Sequence, residues 1–232
     1  MQRPGKAAQQ TEWVWLSHQL DPDTPAYGGG EGFEMHRGKS IACGDSCNTA
    51  KLVLSNHLGS HVDAPRHFYS EGKTVNTYAP DDWIFSSPLL IDIPLNSPEL
   101  ITYTHLSAVL PEKSYDVDLL LIRTGFESWR GDRRFWEGAP GLHPDLADWL
   151  SIKFPRLRAI GVDCISVSSF QHREAGRTAH KALLGAGWRL FEDLALSNLS
   201  VGLMRLVIAL PLRISDGDGA PCTIIAEIVH GS

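Results

Sequence analysis

Three histidines and an aspartate fall within the eleven residues from His57 to His67, in the run Asn-His-Leu-Gly-Ser-His-Val-Asp-Ala-Pro-Arg-His-Phe over 56–68. Imidazole and carboxylate bind zinc-like and manganese-like cations. His57, His61 and Asp63 supply the three protein ligands that a catalytic ion takes while keeping one position open. His67 is left over. An imidazole beside such an ion is the base that hydrolysis needs, because it titrates near neutrality and can move the proton of an activated water. A lone histidine is usually an ordinary hydrogen-bonded residue, but four such side chains in one short segment make a candidate centre.

Other chemistries fit the chain less well. His57 and His61 have the i, i+4 spacing of H-E-x-x-H metalloproteases, but Leu58 stands where the glutamate belongs, Gly59 weakens a helix and Pro65 opposes one. Gly59-Ser60 and Gly44-Asp45-Ser46 pair glycine with serine without completing the G-x-S-x-G elbow of serine hydrolases. Asp216, Asp218 and Glu227 match positions one, three and twelve of an EF-hand loop. Ala220 and Pro221 then take positions five and six, so 216–219 reads as a turn. Gly28-Gly29-Gly30 meets neither phosphate-loop pattern and reads as a flexible turn or lid. The remaining rival is a non-catalytic binding protein stabilised by its metal. Structural sites are closed by four protein ligands, however, and that reading leaves His67 without a purpose.

Composition sets the frame. A chain of 232 residues, 43% hydrophobic and 21% charged, fits one domain over 11–232 after a loose start at 1–10. A net charge of -6, with no basic run longer than Arg133-Arg134, argues against nucleic acid and for a small-molecule partner. Cys43, Cys47, Cys164 and Cys222 read as free thiols in a reducing cytosol. Arg3 and Lys6 are followed by no apolar secretory region, and the longest apolar stretch, 201–212, is short for a membrane span and broken by Arg205. A cytoplasmic protein without a membrane segment is expected.

The elements that must position the histidines follow from apolar periodicity. Strands are expected at 12–18, 51–56, 89–93, 118–123, 158–167, 188–191, 203–212 and 223–229, with 51–56 delivering the histidine segment. Helices are expected at 104–110, capped by Thr104, at 144–152, and at 171–186, ended by Gly185 and Gly187. The last helix places His172 and His180 on similar sides. The charged, aromatic run 129–136 is either a loop over a pocket or a set of scattered surface aromatics. Strands outnumber helices without regular βαβ alternation, so the class is mixed α/β or α+β.

The pattern H-x-G-[TS]-H-x-D-x-P-x-H, carried by His57, Gly59, Ser60, His61, Asp63, Pro65 and His67, resembles the signature of the cyclase-type metal-dependent hydrolases, a family that includes bacterial kynurenine formamidase and isatin hydrolase. Asp23-Thr24-Pro25, Gly161-Val162-Asp163, Ala179-His180 with Glu192-Asp193-Leu194, and Leu210-Pro211-Leu212-Arg213 resemble further motifs of that family in the right order. The resemblance implies a swivelling β/β/α domain with a mixed, strand-rich core, assembly as a homodimer or homotetramer, and hydrolysis of the C–N bond of a small aromatic or cyclic amide by metal-bound hydroxide. By position, His57, His61 and Asp63 hold the main ion, zinc or manganese. Asp63 bridges to a second ion held partly by His180 and Glu192, and His67 is the acid/base. Seven tryptophans are available for an aromatic pocket, with Trp13, Trp15, Trp83 and Trp136 as candidates and His172 as a further pocket residue. Ser60 replaces the usual threonine, Asp193 stands where formamidases often have asparagine, and 168–174 is longer than the formamidase version.

Overall fold

Leu119-Leu120-Leu121-Ile122 is apolar without alternation because both of its faces are buried. Leu119 and Leu121 pack into one core and Leu120 and Ile122 into another, as a period of two requires. The computed structural model describes residues 10–110, 116–199 and 203–230, so all but Gln10 of the expected loose start lies outside the described residues. In chain order the first elements are β1 (Thr11–Trp15), β2 (Glu34–Arg37), β3 (Ala50–Val53), β4 (His61–Asp63), β5 (Ile84–Phe85), β6 (Pro88–Asp92), β7 (Leu100–Ile101) and α1 (Tyr103–Val109). They are followed by β8 (Leu119–Arg123), α2 (Arg134–Glu137), β9 (Gly141–Leu142), α3 (Leu146–Lys153) and β10 (Ala159–Val162). The chain then continues through α4 (Arg173–Gly185), β11 (Arg189–Glu192), β12 (Leu203–Pro211) and β13 (Gly219–Val229).

The main sheet is mixed. Strands β6, β8, β10 and β11 are parallel neighbours, and β4, β13, β12 and β5 continue the sheet antiparallel. β1 pairs with the far half of β13. Only Ser86-Ser87 separate β5 from β6, the two ends of this path, so the sheet curls back until it is nearly closed. Strand residues such as Val62, Phe85, Phe191, Val207 and Ile224 fill its inner core. A second core lies under the helices, where Leu106, Phe135, Leu146, Leu150 and Leu183 cover the other face. This is the mixed, strand-rich α/β architecture expected from the sequence.

Four expectations change. The strand foreseen at 51–56 is only β3, which pairs with β2 in an exposed two-stranded arm, and the histidine motif supplies its own strand, β4. The turn foreseen at 216–219 ends one residue early, because Gly219, Ala220 and Pro221 already pair with β4. The capping residue of α1 is Thr102 rather than Thr104, with the Thr102 N–H donating to His105 Nδ1 at 3.1 Å. The strand foreseen at 158–167 stops at Val162, because Asp163 turns inward to serve as a staple.

Asp163 is fully buried, and its carboxylate accepts from Thr124 N (2.9 Å), Thr124 Oγ1 (2.6 Å) and Gly125 N (2.7 Å). Burial lifts its pKa, and the bonds from Thr124 and Gly125 oppose that rise. Asp163→Ala leaves the buried amide and hydroxyl of Thr124 and the part-buried amide of Gly125 without their acceptor and should cost about 3 kcal/mol. Urea unfolding will measure this, and a midpoint unchanged from the parent would remove Asp163 from the account of stability.

Candidate metal centre and active-site pocket

The register of β4 assembles the site. His61 and Asp63 are two residues apart and share one face of the strand, while Val62 between them points into the inner core. Glu192, the last residue of β11, lies opposite His61, and Asp63 lies opposite Leu190 on one side and Gly219 on the other. His180 comes from α4, whose buried positions Gly176, Ala179, His180, Leu183 and Leu184 have the i, i+3, i+4, i+7, i+8 spacing of a core-facing stripe. His57 sits in the loop before β4 and lies over Gly219, where a Cβ would run into its ring.

Two kinds of distance occur in the cluster. His61 Nε2 lies 3.5 Å from Asp63 Oδ1 and 3.3 Å from Glu192 Oε2, and His180 Nε2 lies 3.4 Å from both Asp63 Oδ2 and Glu192 Oε1. These gaps are long for hydrogen bonds. They match ligand atoms about 2.1 Å from a common ion, which stand roughly 3.0–3.4 Å apart. Outer partners aim the donors: His61 Nδ1 meets Gly59 O at 2.8 Å, His180 Nδ1 meets Ser168 Oγ at 2.8 Å, and Glu192 Oε1 accepts from Val167 N at 2.7 Å. His57 differs, with Nδ1 at 2.7 Å from Asp63 Oδ1 and Nε2 at 2.9 Å from Asp218 Oδ2, both hydrogen-bond lengths. An ion at His57, His61 and Asp63 would take the place of the His57–Asp63 bond. Asp63 belongs to both that triad and the triad Asp63, His180 and Glu192, so one carboxylate can serve two neighbouring cations. The residues therefore fit one or two divalent ions.

The charges point the same way. Asp63 and Glu192 are almost wholly buried, 1% and 3% exposed, which on its own raises a carboxyl pKa. In Glu192, burial and the neighbouring Asp63 are outweighed by His180 and His61, which bring it to about 2. Asp63 is held well below the carboxylate range, because the His180 and His61 imidazoles beside it and the hydrogen bond with His57 overcome its burial. Burial depresses the imidazoles, but Asp63 and Glu192 reverse this and lift His180 to about 10 and His61 well above its usual value. Asp63 and Asp218 likewise outweigh burial at His57. This floor needs positive charge, from protons or from a cation.

His67 stands at the edge of the cluster on the short helical turn Pro65–His67, with Nδ1 2.9 Å from Asp218 Oδ2. Asp218 also accepts from Asn56 Nδ2 at 2.6 Å, and His67 and His57 overcome its partial burial to hold its pKa at about 2. Distance in the chain hides this residue: the Asp-Gly-Asp-Gly segment reads only as a turn until β13 pairs with β4. A cavity of about 310 Å³ opens above the cluster. Besides the five ligand candidates and His67, it is lined by Tyr27, Phe68, Ile165, Ser166, Ser168, Arg173 and Arg177. Tyr27 is placed by the triple-glycine turn, in which Gly28 and Gly29 both have positive φ.

None of Trp13, Trp15, Trp83 and His172 lines this cavity. Trp13 and Trp15 are exposed on β1, an edge strand that pairs only with β13 among the described residues, and His172 is exposed just ahead of α4. Trp83 is buried, packed on Tyr78 and the Arg189 guanidinium. Trp136 touches Phe170, which packs on Tyr27, so the run 129–136 backs the cavity wall without entering it. Asp193 follows Glu192 with φ +53, a conformation that aspartate and asparagine adopt more readily than most residues, and pairs with Arg130.

A curled mixed sheet carrying buried carboxylates and imidazoles, with a further imidazole on a carboxylate at the cavity edge, defines a metal-dependent hydrolase type of site. A family model described as "Putative cyclase" matches residues 14–169, more than half of the chain. The kynurenine formamidase of Geobacillus thermodenitrificans is 33% identical over 209 residues, covering 90% of this chain and 94% of that protein. That of Bacillus thuringiensis (strain Al Hakam) is 34% identical over 211 residues, covering 91% and 95%. A crystal structure of an isatin hydrolase bound to the product analogue thioisatinate superposes with a TM-score of 0.79 at 22% identity, covering 95% of this chain and 93% of that one, and shares the fold. The chain belongs to the cyclase family.

The pKa directions give a stability profile for the chelated protein. His180, raised from 6.5 to about 10, adds stability that is full below pH 6.5 and is lost as pH climbs through about 10. Glu192, lowered from 4.5 to about 2, adds stability that is full above pH 4.5 and is lost as pH falls through about 2. These are two ends of the same pairs. In chelator, the contribution of the cluster to the melting temperature should be flat from pH 4.5 to 6.5 and decline above. Zinc or manganese should restore it above pH 6.5, and His180→Gln should lessen the alkaline decline, leaving the part that the raised His61 and His57 carry. A melting temperature in chelator that rises from about pH 6.5 to about pH 9 would contradict the assignment of charge.

Proposed function

We propose that the protein hydrolyses the C–N bond of a small aryl formamide, in the manner of a kynurenine formamidase, with zinc or manganese at the Asp63 cluster. The observation that carries this is the convergence of His57, His61, Asp63, His180 and Glu192 on one cavity floor with His67 at its edge. Relatives 33–34% identical over nearly the whole chain, named kynurenine formamidases, support the aryl formamide. Opening of a cyclic amide is the second reading, because the isatin hydrolases share the fold.

A divalent ion at these residues supplies Lewis acidity, polarising the amide carbonyl and making water more acidic. The chain supplies the rest. The 2.9 Å contact between Asp218 Oδ2 and His67 Nδ1 fixes the ring so that Nε2 is free to face the cavity. His67 can then take a proton from the attacking water and deliver it to the leaving nitrogen as the C–N bond breaks. The products are formate and the arylamine. Phe68, stacked on the His180 ring at 4.8 Å, and Tyr27 offer aromatic surface to the substrate ring.

The direct test is turnover of formanilide, N-formylkynurenine and isatin by protein loaded with zinc or manganese, before and after chelation. Metal-dependent hydrolysis of the formamides is expected, and activity untouched by prolonged chelation would defeat the reading. His67→Ala should lower kcat by about 10²–10⁴ with metal content and melting temperature nearly unchanged. Asp218→Asn should cost about 10–100-fold by freeing the ring. A His67→Ala protein that loses its ion would place His67 among the ligands instead.

A further inference from the structure

We propose that Arg173 and Arg177 form an anion clamp in the cavity wall, selecting amides that carry a carboxylate remote from the scissile bond. The proposal rests on the amide-hydrolase reading and adds to it the chemistry of the substrate's other end. Arg173, Arg177 and His180 are spaced i, i+4 and i+7 on α4, so a single helix face presents all three to the cavity. Along the helix axis His180 is followed by Arg177 about 4.5 Å away and Arg173 about 10 Å away. That column is long enough to receive an aryl amide with its reacting end at the floor and a substituent at the rim.

The two guanidiniums have no acidic partner among the described residues. Other arginines do: Arg123 pairs with Asp92, Arg130 with Asp193, Arg158 with Asp118 and Arg205 with Glu227. Arg173 is at the first position of α4, where the helix dipole disfavours a cation. Its guanidinium is steadied by the Phe170 ring, 4.6 Å below. Both arginines also favour negative charge at the Tyr27 hydroxyl, working against the burial that raises its pKa, so their field reaches into the cavity. The cavity is thus polarised, with carboxylates at the floor that suit a cation and guanidiniums at the rim that suit an anion. A planar guanidinium matches a carboxylate through paired N–H donors. Tyr27 and Phe68 lie in the same lining and provide contact for the ring between these two ends.

The test compares formanilide, which is neutral, with formamidobenzoates and N-formylkynurenine, which carry a carboxylate. Arg177→Gln and Arg173→Gln should each raise KM for the carboxylate substrates about tenfold or more while kcat stays within about twofold, the pattern of a lost charge-assisted contact made equally in ground and transition states. Formanilide kinetics should be unaltered, and Arg177→Lys should recover part of the loss. Equal losses on both kinds of substrate, no loss on either, or a change in elution volume showing a role in assembly would overturn the clamp. If formanilide and the formamidobenzoates are all inert, the amide reading fails separately. The clamp is then judged by calorimetric binding of 3-aminobenzoate to the metal-loaded protein. Weaker binding to both glutamine variants supports it, and equal binding, as for a carboxylate held by the ion alone, overturns it.

Discussion

Burying two carboxylates side by side is the constraint around which this molecule is arranged. Asp63 and Glu192 sit on adjacent antiparallel strands with their side chains turned to the same face, where mutual repulsion and lost hydration both oppose ionisation. The fold answers with imidazoles from three places: the loop before β4, β4 itself and α4. Each imidazole is aimed by a partner on its outer side. Such an arrangement stabilises little when only protons balance it, since desolvation offsets much of the attraction. It gains its purpose when a divalent cation replaces those protons, which is why metal affinity and pH are coupled at such a site.

The curl of the sheet makes this arrangement possible. Period-two alternation sends Val62 and Phe191 into the inner core while His61, Asp63 and Glu192 face the cavity, so the apolar residues that fix the register also fix the ligands. A slip of one residue between β4 and β11 would turn the acids into the core. Pairing of Gly219 with Asp63 on the other edge opposes that slip, and the same pairing brings Asp218 beside His67. Register and active-site geometry are one specification.

Much of this is legible in the chain. The H-x-G-S-H-x-D-x-P-x-H spacing is local, and the α4 residues around His180 follow a helical period, so both can be read directly. The buried strand 119–123 is readable because a short run of uninterrupted apolar residues suits a strand covered on both faces. Asp218 is not legible, since an aspartate between glycines signals a turn and only strand pairing reveals its neighbours. Arg173 and Arg177 carry no local signal, because arginines on a helix ordinarily face solvent and what distinguishes these two is the cavity beside them. The tryptophans mislead in the opposite sense: aromatic surface reaches the cavity through Tyr27 and Phe68, while Trp83 packs on a buried arginine.

Asp218 shows how one side chain can give two neighbouring imidazoles different work. It meets His67 through Nδ1 and His57 through Nε2, so the nitrogens left over are Nε2 of His67 and Nδ1 of His57. The first is open for proton transfer; the second already faces Asp63 at 2.7 Å, where a cation can displace its proton. Binding of an ion at His57 would strip that proton without disturbing the bond from Nε2 to Asp218. In the proposed hydrolysis the carboxylate would remain shared between a ligand and a base, its charge supporting both a protonated His67 ring and the donor strength of His57. The division of labour proposed for these two histidines of identical intrinsic chemistry would thus follow from which ring nitrogen each turns toward a single acid.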